Sequence, residues 1–156
     1  MNRKLKGFKT CIAAGALVIC SSPLARAADN CTGVDVLVTQ TAETTEIAKN
    51  HTISIWKAFS VLASPGTIYN NATGECSGIT LTTPDGKTQS MGYCARRDKD
   101  GDTQSIAWHS APGAEKGVWK ATGGSGKFAG KQDSGWFQFA RGDGKMAVTN
   151  WGGTCQ

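Results

Sequence analysis

Histidine is nearly absent from this 156-residue chain: His51 and His109 are its only two. That scarcity leaves little material for a histidine metal cluster or a catalytic triad. No Cys-x-x-Cys occurs, so a zinc ribbon or dithiol redox motif has no footing. The apolar run from Cys11 to Cys20 falls well short of the roughly 20 residues that a membrane-spanning helix takes. Linkers, charge runs and low-complexity tracts are also missing, which argues for one folded domain.

The charge balance loses its bias on inspection. Its 17 basic and 12 acidic residues give a net charge of +5, which invites a nucleic-acid or membrane-surface reading. Five of the basic residues (Arg3, Lys4, Lys6, Lys9 and Arg26) belong to a segment with the form of a secretory signal. It has a basic lead, the short apolar run, and Ala25-Arg26-Ala27 as a small-x-small cleavage site. Residues 1–27 are therefore expected to be removed, and residues 28–156 to fold in the periplasm or outside the cell. A lipid-bearing Cys20 would need a small residue before it, where Ile19 stands. Without the signal, 12 of the 17 basic residues face 12 acidic ones. No basic footprint for nucleic acid remains. Arg96, Arg97 and Lys99 alternate with Asp98, Asp100 and Asp102, which reads as a solvated turn of mixed charge.

What is present points to strands and staples. Of six cysteines, Cys31, Cys76, Cys94 and Cys155 stay in the mature chain and read as two disulfides of an exported domain. Thr83-Pro84-Asp85-Gly86-Lys87 fits a three-residue hairpin loop, with Pro84 and Asp85 in a type I turn and Gly86 left-handed in a G1 bulge. That register sets Cys76 directly opposite Cys94, and elimination pairs Cys31 with Cys155. It also sets Ile79 opposite Met91 and Ser77 opposite Tyr93. With Leu81 these residues are expected to form the inner, apolar face. Cys76, Gly78, Thr80, Thr82, Thr88, Ser90, Gly92 and Cys94 take the other face.

Further short strands are expected at Val34–Val38, Thr52–Val61, Thr103–Trp108, Gly117–Thr122, Gly135–Ala140 and Lys145–Trp151. Thr41 to Lys49 fits a strand or a helical turn. The spacing is that of an all-β chain, a single antiparallel closed β-barrel of about eight strands, stapled by disulfides.

The succession Met91-Gly-Tyr-Cys94, Asp98-Lys-Asp-Gly-Asp102, Trp108, Gly117-Val-Trp119, Gly123-Gly-Ser-Gly-Lys-Phe-Ala-Gly130 and Ser134-Gly135 resembles small exported bacterial proteins of the allene oxide cyclase-like, calycin-type barrel group. The resemblance covers roughly Cys76 to Phe139 and implies a calyx-like barrel. The plant cyclases of that group steer a fatty-acid epoxide inside an apolar barrel, but their catalytic carboxylate matches no residue here. Gly117-Val-Trp119 is also similar to the Gly-x-Trp of lipocalins and avidin-like barrels, which lies on their first strand.

Candidate chemistry is thin. Asp98, Asp100 and Asp102 resemble half a calcium loop, yet Gly101 stands fourth and no closing Glu follows. His109 precedes Ser110, but no motif places a serine on a nucleophile elbow. Glu75 and Glu115 are isolated, and no catalytic residue, metal site or cofactor is assigned. The aromatic residues carry more. In an eight-stranded barrel the interior is filled by side chains or holds one small ligand. Trp108, Trp119, Phe137 and Phe139 are the candidates to line such a cavity, and Trp136 and Phe137 must face opposite ways. The leading expectation is non-catalytic binding of a small apolar ligand or a partner. The alternatives are an isomerase or cyclase acting on a lipid-like substrate in the lumen, and a secreted interaction or inhibitor module.

Overall fold

The turn at Thr83 to Lys87 forms as its residues dictate. Gly86 takes φ 78°, Thr83 N–H donates to the Lys87 carbonyl at 2.9 Å, and Gly86 N–H donates to the Thr83 carbonyl at 2.8 Å. A left-handed residue here costs glycine little, because it has no Cβ to collide with the carbonyl. The computed structural model describes residues 30–156, and the expected signal peptide, residues 1–27, lies outside them.

Eight strands follow in chain order: β1 (Cys31–Ala48), β2 (His51–Ala63), β3 (Thr73–Thr82), β4 (Thr88–Arg97), β5 (Thr103–Ser110), β6 (Gly117–Gly124), β7 (Ser134–Gly142) and β8 (Met146–Thr154). Each bonds antiparallel to the next and β8 returns to β1, so the barrel is closed. Closure removes the two unpaired edges that an open sheet would expose. Among the described residues the one helical element is a 3-10 turn, Gly126–Phe128.

Both staples take the expected pairing. Cys76 lies opposite Cys94 across β3 and β4, and Cys31 is bonded to Cys155 across a sequence separation of 124. The second bridge fastens the start of β1 beside the end of β8, where Cys31 faces Gly153. Cross-linking so long a loop removes denatured-state entropy of about 4–5 kcal/mol in the chain-entropy account.

Thr41 to Ala48 is strand. A bulge between Thr39 and Thr41 steps β1 past Gln40, and from there β1 pairs with β2 alone, beyond the start of β8. The threonines suit an exposed ribbon, and Thr44 Oγ1 meets Ser54 Oγ at 2.7 Å across it. Asn50, at φ 59°, makes the turn.

The facing of β3 and β4 is the reverse of expectation. Ile79, Met91 and Tyr93 are exposed at 42%, 58% and 66%, while Cys76 and Cys94 are buried. The reason lies on other strands. Trp56 and Trp108 stack inside the barrel with ring centroids 5.5 Å apart, directly over Gly78 and Gly92. A Cβ on Gly78 would come within 2.7 Å of both rings, and one on Gly92 within 2.5 Å of Trp108. With that space taken, β3 and β4 turn their small residues inward. Their larger apolar side chains join a row on the outside, Ile55–Ile79–Met91–His109–Val118, running across five strands.

A methyl group on Gly92 would also sit 2.1 Å from the Ser77 carbonyl oxygen, which cannot yield without moving the sheet. Gly92→Ala is expected to lower stability by about 1–3 kcal/mol. Gly123→Ala, which meets only the Ser105 hydroxyl at 3.3 Å, should stay within about 0.5 kcal/mol. Urea unfolding of both variants against wild type checks the contrast.

Candidate functional site

The inward side chains do not fill the barrel. They enclose a cavity of about 400 Å³, within the range of roughly 300–1,000 Å³ that holds small ligands. Its wall changes character along the axis.

The middle is aromatic. Trp108 and Trp119 sit opposite each other on β5 and β6. Phe137 stands edge-on to Trp108 at 5.9 Å, and Trp151 stands edge-on to Trp119 at 5.9 Å. Trp56 completes the cuff, its indole N–H donating to Thr80 Oγ1 at 3.2 Å. Of the four sequence candidates, Trp108, Trp119 and Phe137 thus line the cavity wall. Phe139, at 61% exposure, stands at the mouth with the exposed Ala42 and Gly144. Trp136 lies on the outer surface, as the alternation with Phe137 requires, with the Lys116 ammonium 4.1 Å from its ring centre.

The far end is polar. Asp35 on β1, Arg96 on β4 and Gln104 on β5 all line the cavity, and each is at least 94% buried. Arg96 Nη2 donates to Asp35 Oδ2 at 2.5 Å, and Arg96 Nε donates to Ser60 Oγ at 2.8 Å. The Ser60 hydroxyl in turn donates to Asp35 Oδ1 at 2.7 Å. Both carboxylate oxygens are therefore engaged, and the charges cancel inside the wall. Beneath this set Tyr69 closes the barrel. Its ring packs on Phe128 and edge-on against Trp151, and its hydroxyl donates to Asp133 Oδ2. Asp133 Oδ1 also accepts the Gln156 N–H at 2.8 Å. Burial pushes the Asp133 carboxyl above its ordinary value, partly offset by the Gln156 N–H.

The turn of residues 96–102 is solvated only in part: Arg97, Lys99 and Asp100 are exposed, as its composition suggests, but two of its charged residues are buried. Arg96 points into the lumen, and Asp98 is buried. Asp98 Oδ1 accepts the N–H groups of Asp100 and Asp102 at 2.9 and 3.0 Å. Lys127 reaches across from the 3-10 turn to pair with Asp98, and it lies 3.4 Å from Asp100. Asp102 Oδ2 accepts the Lys127 N–H at 3.0 Å. The three aspartates thus hold a lysine, and that ammonium keeps the Asp98 carboxyl below its usual value, with help from the turn N–H groups. No group of three or more His, Cys, Asp or Glu side chains among the described residues is placed to bind a metal.

His109 faces outward between Met91 and Val118. Ser110 bonds to Ser90, so the pair does not form a nucleophile and base. Glu75 is exposed on β3, and Glu115 bonds Gln138. Sequence reasoning missed the polar end. The available signal was phase: Asp35 alternates with Leu37, Ser60 with Leu62, and Arg96 with Cys94, all in inward positions.

No protein-family model matches the sequence, and no curated protein matches it. Among solved structures, the chain is similar to the pterocarpan synthase dirigent protein GePTS1, with 16% identity over 78% of this chain and 80% of that one, at a TM-score of 0.48.

Removing one partner of the buried pair leaves the other charge uncompensated. Arg96→Met is expected to cost about 3–5 kcal/mol, and the double variant Asp35→Leu with Arg96→Met should recover most of that loss. Chemical unfolding of the single and double variants tests this, and additive losses would contradict the pairing. Asp133 gives a pH dependence. A carboxyl whose folded-state value is raised keeps a proton that the unfolded chain releases. Its contribution is full below the ordinary value of 3.8 and is lost as pH rises through the raised one. Wild type should therefore lose stability relative to Asp133→Asn as the pH rises from about 4. Urea midpoints of the two proteins across pH 3.5–6.5 check the sign, and a pH-independent difference would refute it.

Proposed function

We propose that this is an exported protein, periplasmic or secreted, that binds a small apolar ligand in its barrel lumen without transforming it. The observation that carries the reading is an unfilled cavity with a cuff of five aromatic side chains: Trp56, Trp108, Trp119, Phe137 and Trp151. Aromatic walls gain most from burying apolar surface when the pocket is already formed, since no ordering cost falls on the protein. The resemblance to exported bacterial proteins of the allene oxide cyclase-like group belongs to this proposal. So does the extracytoplasmic location, which the two disulfides favour.

The inward polar groups are what an isomerase or cyclase reading would require. Asp35, however, has both oxygens occupied by Ser60 and Arg96, which makes it an anchor of the wall rather than a base poised to take a proton. The interaction-module reading draws its support from the exposed apolar row on the outer face.

A neutral fluorescent probe, N-phenyl-1-naphthylamine, should bind with quenching of tryptophan emission. Ala147→Trp, placed on the cavity wall, should weaken that binding at least about tenfold, a loss of about 1.4 kcal/mol, with little change in melting temperature. Unchanged binding by the filled variant, or none by wild type, would overturn lumen binding.

A further inference from the structure

The lumen is not uniformly apolar, and its polarity has a direction. From the mouth at Phe139 and Ala42 the wall runs through the indoles to Arg96, Asp35 and Gln104 at the closed end. Two features of that end are unspent. Gln104 is 95% buried as a residue, and its amide, which shares no hydrogen bond with another described side chain, faces the lumen. Arg96 uses Nε and Nη2 on Ser60, Asp35 and the Cys76 sulfur, which leaves the Nη1 hydrogens without a protein partner. Neither group is sealed off from solvent; both open onto the cavity, where a ligand's polar group can take the place of water.

Resting on the lumen reading above, we propose that the closed end recognises one uncharged hydrogen-bonding head on an otherwise apolar ligand. Arg96 Nη1 and the Gln104 N–H donate to the head's oxygen, and the Gln104 carbonyl accepts a hydrogen where the head has one. The charge of the head follows from the pair beside it. Asp35 and Arg96 already neutralise each other, so a carboxylate or ammonium head would enter the closed end with no counter-charge and keep its full desolvation penalty. An alcohol, a ketone or a carboxamide meets the donors without that penalty. The aromatic cuff takes the body, with the head leading into the barrel.

A series with one body and four heads tests this on the folded protein: 2-methylnaphthalene, 2-naphthylmethanol, 2-naphthamide and 2-naphthoate, titrated by tryptophan quenching. The alcohol and amide are expected to bind about tenfold tighter than the methyl compound, the gain of one or two hydrogen bonds in a buried site, and naphthoate more weakly than either. Gln104→Leu should bring the alcohol and amide towards the methyl compound and leave the latter unchanged. Equal binding of methyl compound and alcohol, or strongest binding of naphthoate, overturns head recognition while lumen binding stands. Failure of all four to bind overturns both. The wild-type series decides the question even if Gln104→Leu does not fold.

Discussion

A barrel closed on itself has a fixed interior, and every large side chain placed there must be matched by a small one across from it. In this protein the match is between the stacked indoles of Trp56 and Trp108 and the bare backbones of Gly78 and Gly92. The rest of the molecule follows from that trade. It sends Ile79, Met91 and Tyr93 outward and brings Cys76 and Cys94 inward. The rings are thereby held against one wall, and the lumen beside them stays open. The same principle recurs where Phe137 lies over Gly117, so closely that a Cβ there would come within 2.2 Å of its ring.

The polar end of the lumen is an expense of a different kind. Burying Asp35 and Arg96 gives up their hydration, and attraction at 2.5 Å with the Ser60 bridge offsets that loss without turning the pair into a large source of stability. What the pair supplies is position. It holds the guanidinium against β1 and β2 although it is carried on β4, so one face of the group is presented to the cavity. Tyr69 and Asp133 seal the end below, tying the β2–β3 connection to the segment before β7. Phe139 stands exposed at the opposite end of the lumen.

How much of this was legible depended on the range of the interaction. The Thr83 to Lys87 turn is local, and from it the β3–β4 register and the Cys76–Cys94 bond could be read directly, with Cys31–Cys155 following by elimination. The alternation of Trp136 and Phe137 needed only the two-residue period of a strand. The facing of that same β3–β4 hairpin was misread, because apolar content usually marks the inside and here glycine did. Gly78 and Gly92 were visible in the sequence, but the rings that require them come from β2 and β5. The burial of Asp98 within its otherwise solvated turn escaped for a similar reason: its partner Lys127 approaches from a different connection. Asp35, Arg96 and Gln104 are isolated in the chain and meet only when strands β1, β4 and β5 curve around a common axis.

The sequence alone determined the elements and their local pairing: short alternating strands, glycine-bearing turns, one hairpin with its staple, and a closed antiparallel barrel as the arrangement that fits them. Those features rest on backbone geometry and on contacts between near neighbours, which residue order records. The tertiary structure alone decided which face of each strand is inside, that the lumen remains open, and that its closed end is polar. Those depend on the volumes and charges that distant strands bring to one enclosed space, and a sum over such a space is not written in any single segment of the chain.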